Sequence, residues 1–257
     1  SGIFERCLER GYFASLSMVS AEVEDEIQRH ARDPRFEGHI LITTEVTDRV
    51  APLLKAGSAP AALIGRAPAW ETISSVDLDN EKGGYVAGRH LCTLGYDELG
   101  VILGNSSLEE SNDRRAGVER ALADAGCSVP ERYVAEGDYS RDSGYAIVQG
   151  WAARGALPRA LFCASDTMAM GALLALHEHD YRVPADVAVV GFDDLPSARY
   201  TFPPLTTVRQ PVYEKGRTAA DLLIDQIDEG AVESVHRELT PELVVRNSCG
   251  ASAPRAT

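Results

Sequence analysis

Short apolar runs alternate with longer amphipathic stretches along most of this chain, and that rhythm restricts the fold more than any other feature. The runs occupy residues 14–19, 39–43, 61–65, 100–103, 133–136, 160–163 and 187–191. Most are continuous, as expected for strands covered by helices on both faces. Between them, Ala169, Ala172, Leu173 and Leu176 recur at i, i+3, i+4 and i+7, predicting a helix over residues 166–178 with one apolar stripe. Gly216, Ala219, Ala220, Leu223 and Ile227 predict a later helix that Gly230 ends. Repeated strand–helix alternation implies right-handed βαβ crossovers and an α/β, doubly wound parallel sheet. At 257 residues the chain exceeds one ordinary core, so two such sheets are expected in place of one very wide one.

Residues 3–10 predict a helix feeding the strand at 14–19, so the chain opens on a helix with no strand before it. The first strand of a doubly wound domain usually lies inside the sheet, and its loss would leave backbone groups unpaired. The expectation is a natural protein that continues upstream of Ser1.

Thirty-nine acidic residues against twenty-five Lys and Arg give a formal charge of −14. Nucleic-acid affinity rests on clustered Lys and Arg that release counterions, and no such cluster occurs, so these residues are not expected to bind DNA themselves. No run approaches the ~18 apolar residues that a membrane helix needs, which argues against a membrane partner. Cys7, Cys92, Cys127, Cys163 and Cys249 are dispersed with no CxxC pair, a pattern suited to a reducing cytosol and a cytoplasmic location. His177 and His179 point about 200° apart on a helix, whereas a helical metal pair wants i, i+4. No glycine-rich nucleotide loop or nucleophile elbow follows an apolar run. Neither an enzyme nor a cofactor is therefore expected.

Three segments carry a resemblance. They are Ala-Ser-Asp-Thr-Met-Ala-Met-Gly-Ala-Leu at 164–173, Arg-Val-Pro-Ala-Asp-Val-Ala-Val-Val-Gly-Phe-Asp-Asp at 182–194, and Pro-Pro-Leu-Thr-Thr-Val-Arg-Gln-Pro at 203–211, completed by Pro-Glu-Leu-Val-Val-Arg-Asn-Ser at 241–248. Weaker matches lie at 77–91, 114–117 and 137–145. In order and spacing these resemble the regulatory domain of the lactose/galactose-repressor family. The resemblance implies a periplasmic-binding-protein-like type I fold: two Rossmann-like subdomains with parallel sheets, linked by three crossover strands, with a small molecule in the cleft between them. The expected division is 1–104 with 207–238, and 105–206 with 239–250. It also implies a homodimer, and operator DNA bound only through an N-terminal helix-turn-helix domain that this chain lacks.

Ligands of open α/β sheets sit beyond the carboxyl ends of the strands. There a carboxylate accepts from sugar hydroxyls, a guanidinium donates a planar fork, and an aromatic face covers the C–H side. Asp193, Arg114 and Tyr139 supply that set, with Ser165 and Asn105 also at strand ends, and the resemblance places effector contacts at the first three. Each has a plainer reading. Asp193 would brace the turn after Phe192; Arg114 competes with Arg115 as the inward residue; Tyr139 would pack in the core. Asp166 is expected to cap its helix, leaving Ser165 towards the ligand, and Gln210 to be structural. The acidic stretch 104–113, with Glu109, Glu110, Ser111 and Asn112, reads as a loop that shapes specificity or as solvated surface.

The resulting expectation is a repressor's sensing domain whose effector, of sugar type, alters operator affinity allosterically. The alternative is a periplasmic sugar-binding protein of a transport system.

Overall fold

The computed structural model describes residues 2–17, 32–42, 59–66, 73–230 and 233–251. In chain order its elements are α1 (Gly2–Glu9), β1 (His39–Ile42), β2 (Ala61–Ile64), β3 (Ser74–Leu78), α2 (Asn80–Thr93), β4 (Leu99–Leu103), α3 (Glu109–Ala125) and β5 (Val134–Glu136). There follow α4 (Arg141–Ala153), β6 (Ala160–Cys163), α5 (Asp166–Glu178), β7 (Ala188–Asp193), β8 (Thr206–Arg209), α6 (Val212–Glu229), β9 (His236–Leu239) and β10 (Glu242–Val244). Among the described residues, no helix is long and apolar enough to cross a membrane.

The chain divides into two compact units, Ser1–Leu78 with Pro211–Leu239 and Asp79–Gln210 with Thr240–Thr257, and so passes from one to the other three times. In the first unit a parallel sheet runs in the order β1-β2-β3-β9. Cys7 of α1 packs with Ala220 and Ile224 of α6, and Ile3, Tyr12, Ala14 and Ile40 complete that cluster. Around this small apolar seam, Arg10 reaches Asp221, Asp225 and Asp228, and Arg217 meets Glu9. Lys215, buried in the first turn of α6, lies 3.4 Å from Asp77 of β3 and ties the helix to the sheet.

The strand expected at 14–19 is corrected over its described part. Among the described residues, no strand pairs with residues 14–17. Ala14 packs on the helix seam while Leu16 stands exposed, so these side chains do not line one sheet face. Residues 18–19 lie outside the described residues.

The second unit carries the larger sheet, in the order β10-β8-β7-β6-β4-β5, parallel except where β10 runs against β8. All residues of β4 and β6 are buried, the outcome that their unbroken apolar runs predict. The expected boundary at 104 is also corrected, to Leu78/Asp79. The reason is pairing: Val101 of β4 stands opposite Val134 of β5 and Phe162 of β6, so β4 is an interior strand of the second sheet. β8 likewise stays there by pairing with β7 and β10, which moves the second crossing to Gln210/Pro211.

Helices α2 and α3 meet without intervening side chains. A Cβ added at Gly84 would lie 2.0 Å from the Arg114 carbonyl oxygen, and one added at Gly117 would lie 1.9 Å from that of Glu81. Replacing a mid-helix glycine by alanine ordinarily stabilises by about 0.5–1 kcal/mol. At Gly84 the sign reverses, because overpacking costs about 1–3 kcal/mol and the obstacle is backbone. Gly84→Ala is expected to lower the urea midpoint with an unchanged slope; a raised midpoint would show that the two helices can separate freely.

Candidate functional site

The carboxyl ends of β6 and β7 converge in the second unit on one buried cation. Arg114 lies on the stripe of α3 that also buries Ser111, Gly117, Val118 and Ala121, whereas Arg115 points outward and pairs with Glu119 at 2.7 Å. Helical phase thus settles which arginine turns inward. Arg114 as a residue is 6% exposed. Its Nε donates to Asn80 Oδ1 at 2.9 Å, and one Nη donates to the Ala164 carbonyl at 2.6 Å. Its carbon sits 3.8 Å from the ring centroid of Phe192, a cation–π contact. Phe192 is itself wedged edge-on against Phe162.

Asp193 ends β7, with its carboxylate 3.9 Å from the Arg114 guanidinium. Gln210 Nε2 donates to Asp193 Oδ1 at 2.6 Å, so Gln210 is structural, as expected, and its partner is Asp193. Burial pushes the Asp193 carboxyl above its ordinary value, while Arg114 and the Gln210 hydrogen bond pull it down. Asp193 and Asp194 have φ of 119° and 56°, backbone that side-chain-bearing residues rarely adopt. Asp194 is anchored by Arg246 and by Arg209, the latter at 2.7 Å. Burial works to raise its carboxyl, and the two arginines outweigh that and lower it.

Tyr139, at φ 65°, lays its ring directly on Gly104, where a Cβ would fall 1.9 Å from the ring. Its hydroxyl is buried and makes no hydrogen bond among the described residues, with the Ser111 hydroxyl beside it. Burial raises this phenol, and Arg114 is the nearby charge that opposes the rise. Tyr139 therefore belongs with Arg114 and Asp193.

Two expectations are reversed. Ser165, not Asp166, caps α5: its hydroxyl accepts from the Met168 amide at 3.2 Å. Asp166 is fully buried, accepting from the Thr207 hydroxyl at 2.5 Å and from the Leu195 amide at 2.8 Å. Strand β8 brings Thr207 to this carboxylate, and the sequence separation hides that pairing. The stretch 104–113 is not wholly a loop either. Glu109 and Glu110 open α3, where acids suit the positive end of the helix dipole, and Ser111 is buried. Asn105 stands exposed in a turn, its side chain accepting from the Ser107 amide at 2.9 Å, apart from the buried cluster.

Residues 88–249 match the family model of the periplasmic binding protein-like domain. The chain is 35% identical over 248 residues to the HTH-type transcriptional repressor PurR of Klebsiella pneumoniae (strain 342), covering 94% of this chain and 72% of the relative. To the repressor of the same name from Haemophilus influenzae (strain ATCC 51907 / DSM 11121 / KW20 / Rd) it is 32% identical, over 95% of this chain and 74% of that one. Among solved structures, the transcriptional regulator CelR in complex with cellobiose superimposes with a TM-score of 0.88 at 33% identity, over 96% of this chain and 76% of the other. This chain belongs to the LacI family of transcription regulators. A LacI-family regulator from Enterococcus faecium with bound ribose is similar at a TM-score of 0.83 and 26% identity, over 99% of this chain and 92% of that one. The chain is the periplasmic-binding-protein-like, effector-binding domain of such a regulator. These relatives are repressors and regulators, so they lend the transport-receptor alternative no support.

Within this LacI-family domain, Asp166 gives a pH signature. Burial raises its carboxyl from 3.8 to about 7, against the pull of the Thr207 and Leu195 hydrogen bonds. The folded state holds this proton more tightly than the unfolded chain does. Its contribution to stability is therefore complete below the unfolded value of 3.8 and is lost as pH rises through about 7. The stability difference between wild type and Asp166→Asn, from urea titrations at pH 4–8, is expected to shrink steadily up to about pH 7 and then level off. A difference that stays constant over that range would assign Asp166 an ordinary, ionised state.

Proposed function

We propose that this domain senses a small carbohydrate-type molecule at the strand ends of its second unit, and that occupancy changes the operator affinity of the repressor. No bond is made or broken. One observation carries the reading: Arg114 and Asp193 stand 3.9 Å apart, too far for a direct hydrogen bond, yet both are fixed from behind. Asn80, Ala164 and Phe192 hold the cation, and Gln210 holds the anion. The guanidinium keeps N–H groups, and the carboxylate keeps lone pairs, beyond those already engaged. Adjacent sugar hydroxyls, each both donor and acceptor, suit such a facing pair. The Tyr139 hydroxyl offers a third polar contact. Cellobiose and ribose on two similar regulators support the same chemical class.

Binding alters DNA affinity only if the ligand has different affinities for two states of the domain, a coupling of typically ~1–3 kcal/mol. The protein would work in the cytoplasm with no cofactor and no enzymatic turnover, and would meet operator DNA through a helix-turn-helix domain outside this sequence. Asp193→Asn keeps the shape and removes the charge. Hydrogen bonds to a charged group are worth about 1.5–3 kcal/mol, so calorimetry with the best ligand from a thermal-shift panel of sugars is expected to show a loss of at least ~10-fold. Equal affinity in both proteins would take Asp193 out of the site.

A homodimer accompanies this reading. Tyr200 and Phe202 of the second unit are 81% and 96% exposed, an apolar pair that a subunit contact would cover. Sedimentation at tens of micromolar is expected to give a dimer that Phe202→Ser weakens. A wild-type monomer throughout would remove the assignment.

A further inference from the structure

The amino-terminal halves of α2 and α3 carry Asn80 and Arg114; at or just beyond their carboxyl-terminal ends lie two cysteines that the proposed function does not use. Cys92 lies in the last turn of α2, and Cys127 follows Gly126, the left-handed residue that ends α3. Cys127 Sγ is 3.5 Å from the Tyr96 carbonyl oxygen, and the Tyr96 amide donates back to Leu91, next to Cys92. A Cβ added at Gly88 would lie 3.2 Å from the Ala121 Cβ, so one turn further along α2 Cys92 stands beside the end of α3, where Cys127 lies. Both are half-buried, whereas Cys7, Cys163 and Cys249 are buried. Cys127 also lines an open groove of about 610 Å³, together with Arg115, Glu119, Leu122, Val129 and Val134.

We propose that Cys92 and Cys127 form a disulfide under hydroperoxide, a thiol modification site at the end of the second unit opposite Arg114 and reached through this groove. The Cys127 thiolate attacks the peroxide oxygen. The O–O bond breaks, the leaving oxygen departs as water or alcohol after taking a proton, and Cys127 becomes a sulfenic acid. The Cys92 sulfur then attacks that sulfur; the S–O bond breaks and its oxygen leaves as water with the Cys92 proton. Two thiols and one hydroperoxide give one disulfide and two hydroxylic products, with two electrons passing from sulfur to oxygen. Burial, with Cys127 adding to it, pushes the Cys92 thiol up to about 12. Cys127 lines the groove and Cys92 is not among its lining residues, so Cys127 meets the peroxide first and Cys92 resolves.

The test uses the whole chain, treated with hydrogen peroxide, alkylated, and digested by trypsin without reduction. Mass spectrometry is expected to find residues 90–114 joined to residues 121–132, two hydrogens lighter than the separate thiol peptides and split by dithiothreitol. Alkylation of Cys92 and Cys127 should fall in step. Cys92→Ser should abolish the joined species and carry Cys127 on to sulfinic acid. The proposal is overturned if wild-type Cys127 reaches sulfinic acid while Cys92 still alkylates. It is equally overturned if neither thiol reacts at peroxide levels that oxidise a free cysteine peptide in the same tube.

Discussion

A guanidinium is buried at Arg114, and the arrangement of the strand ends around it follows from keeping it satisfied. A buried charge without partners costs several kcal/mol, so each element around Arg114 must contribute something specific. Helix α2 presents Asn80, β6 leaves the Ala164 carbonyl free at its end, and β7 places the Phe192 ring beneath and the Asp193 carboxylate beside it. Three elements that are distant in sequence are thereby held to one point. The sheet order makes this possible, since β6 and β7 are neighbours.

Strain is concentrated where this arrangement faces outward. Asp193 and Asp194 both adopt positive φ, at a cost of about 1–3 kcal/mol each. Ion pairs from Arg246 and Arg209 to Asp194, the Gln210 hydrogen bond to Asp193, and the buried Asp166 carboxylate behind Leu195 hold the turn in that shape. The turn after β7 is thus more than a chain reversal. It spends stability to aim one carboxylate, as expected of a preorganised recognition group.

The sequence made much of this readable, for identifiable reasons. Continuous apolar runs located β4, β6 and β7, because a strand buried on both faces has no polar residues to interrupt it. The inward role of Arg114 could be read from its place three residues before Gly117. Other features depended on tertiary pairing. Whether β4 belonged to the first or second sheet was decided by its neighbours β5 and β6, which no local pattern encodes. Ser165 and Asp166 are both good capping residues, and only the arrival of Thr207 from β8 decided between them. Asn80 and Phe192 carry no sequence signal as partners of Arg114: one lies in the weaker of the matching segments, and the other has no polar atom.

The glycine contacts between α2 and α3 bear on how a signal could leave the site. Side chains can change rotamer and absorb a displacement, but a main-chain carbonyl resting against a bare Cα has no such freedom. With Gly84 on Arg114 and Gly117 on Glu81, the two helices are keyed at two points one turn apart. A ligand bound at Arg114 as proposed would, in pulling on the guanidinium, carry Asn80 and α2 with it, so that a local tug becomes the movement of a lever.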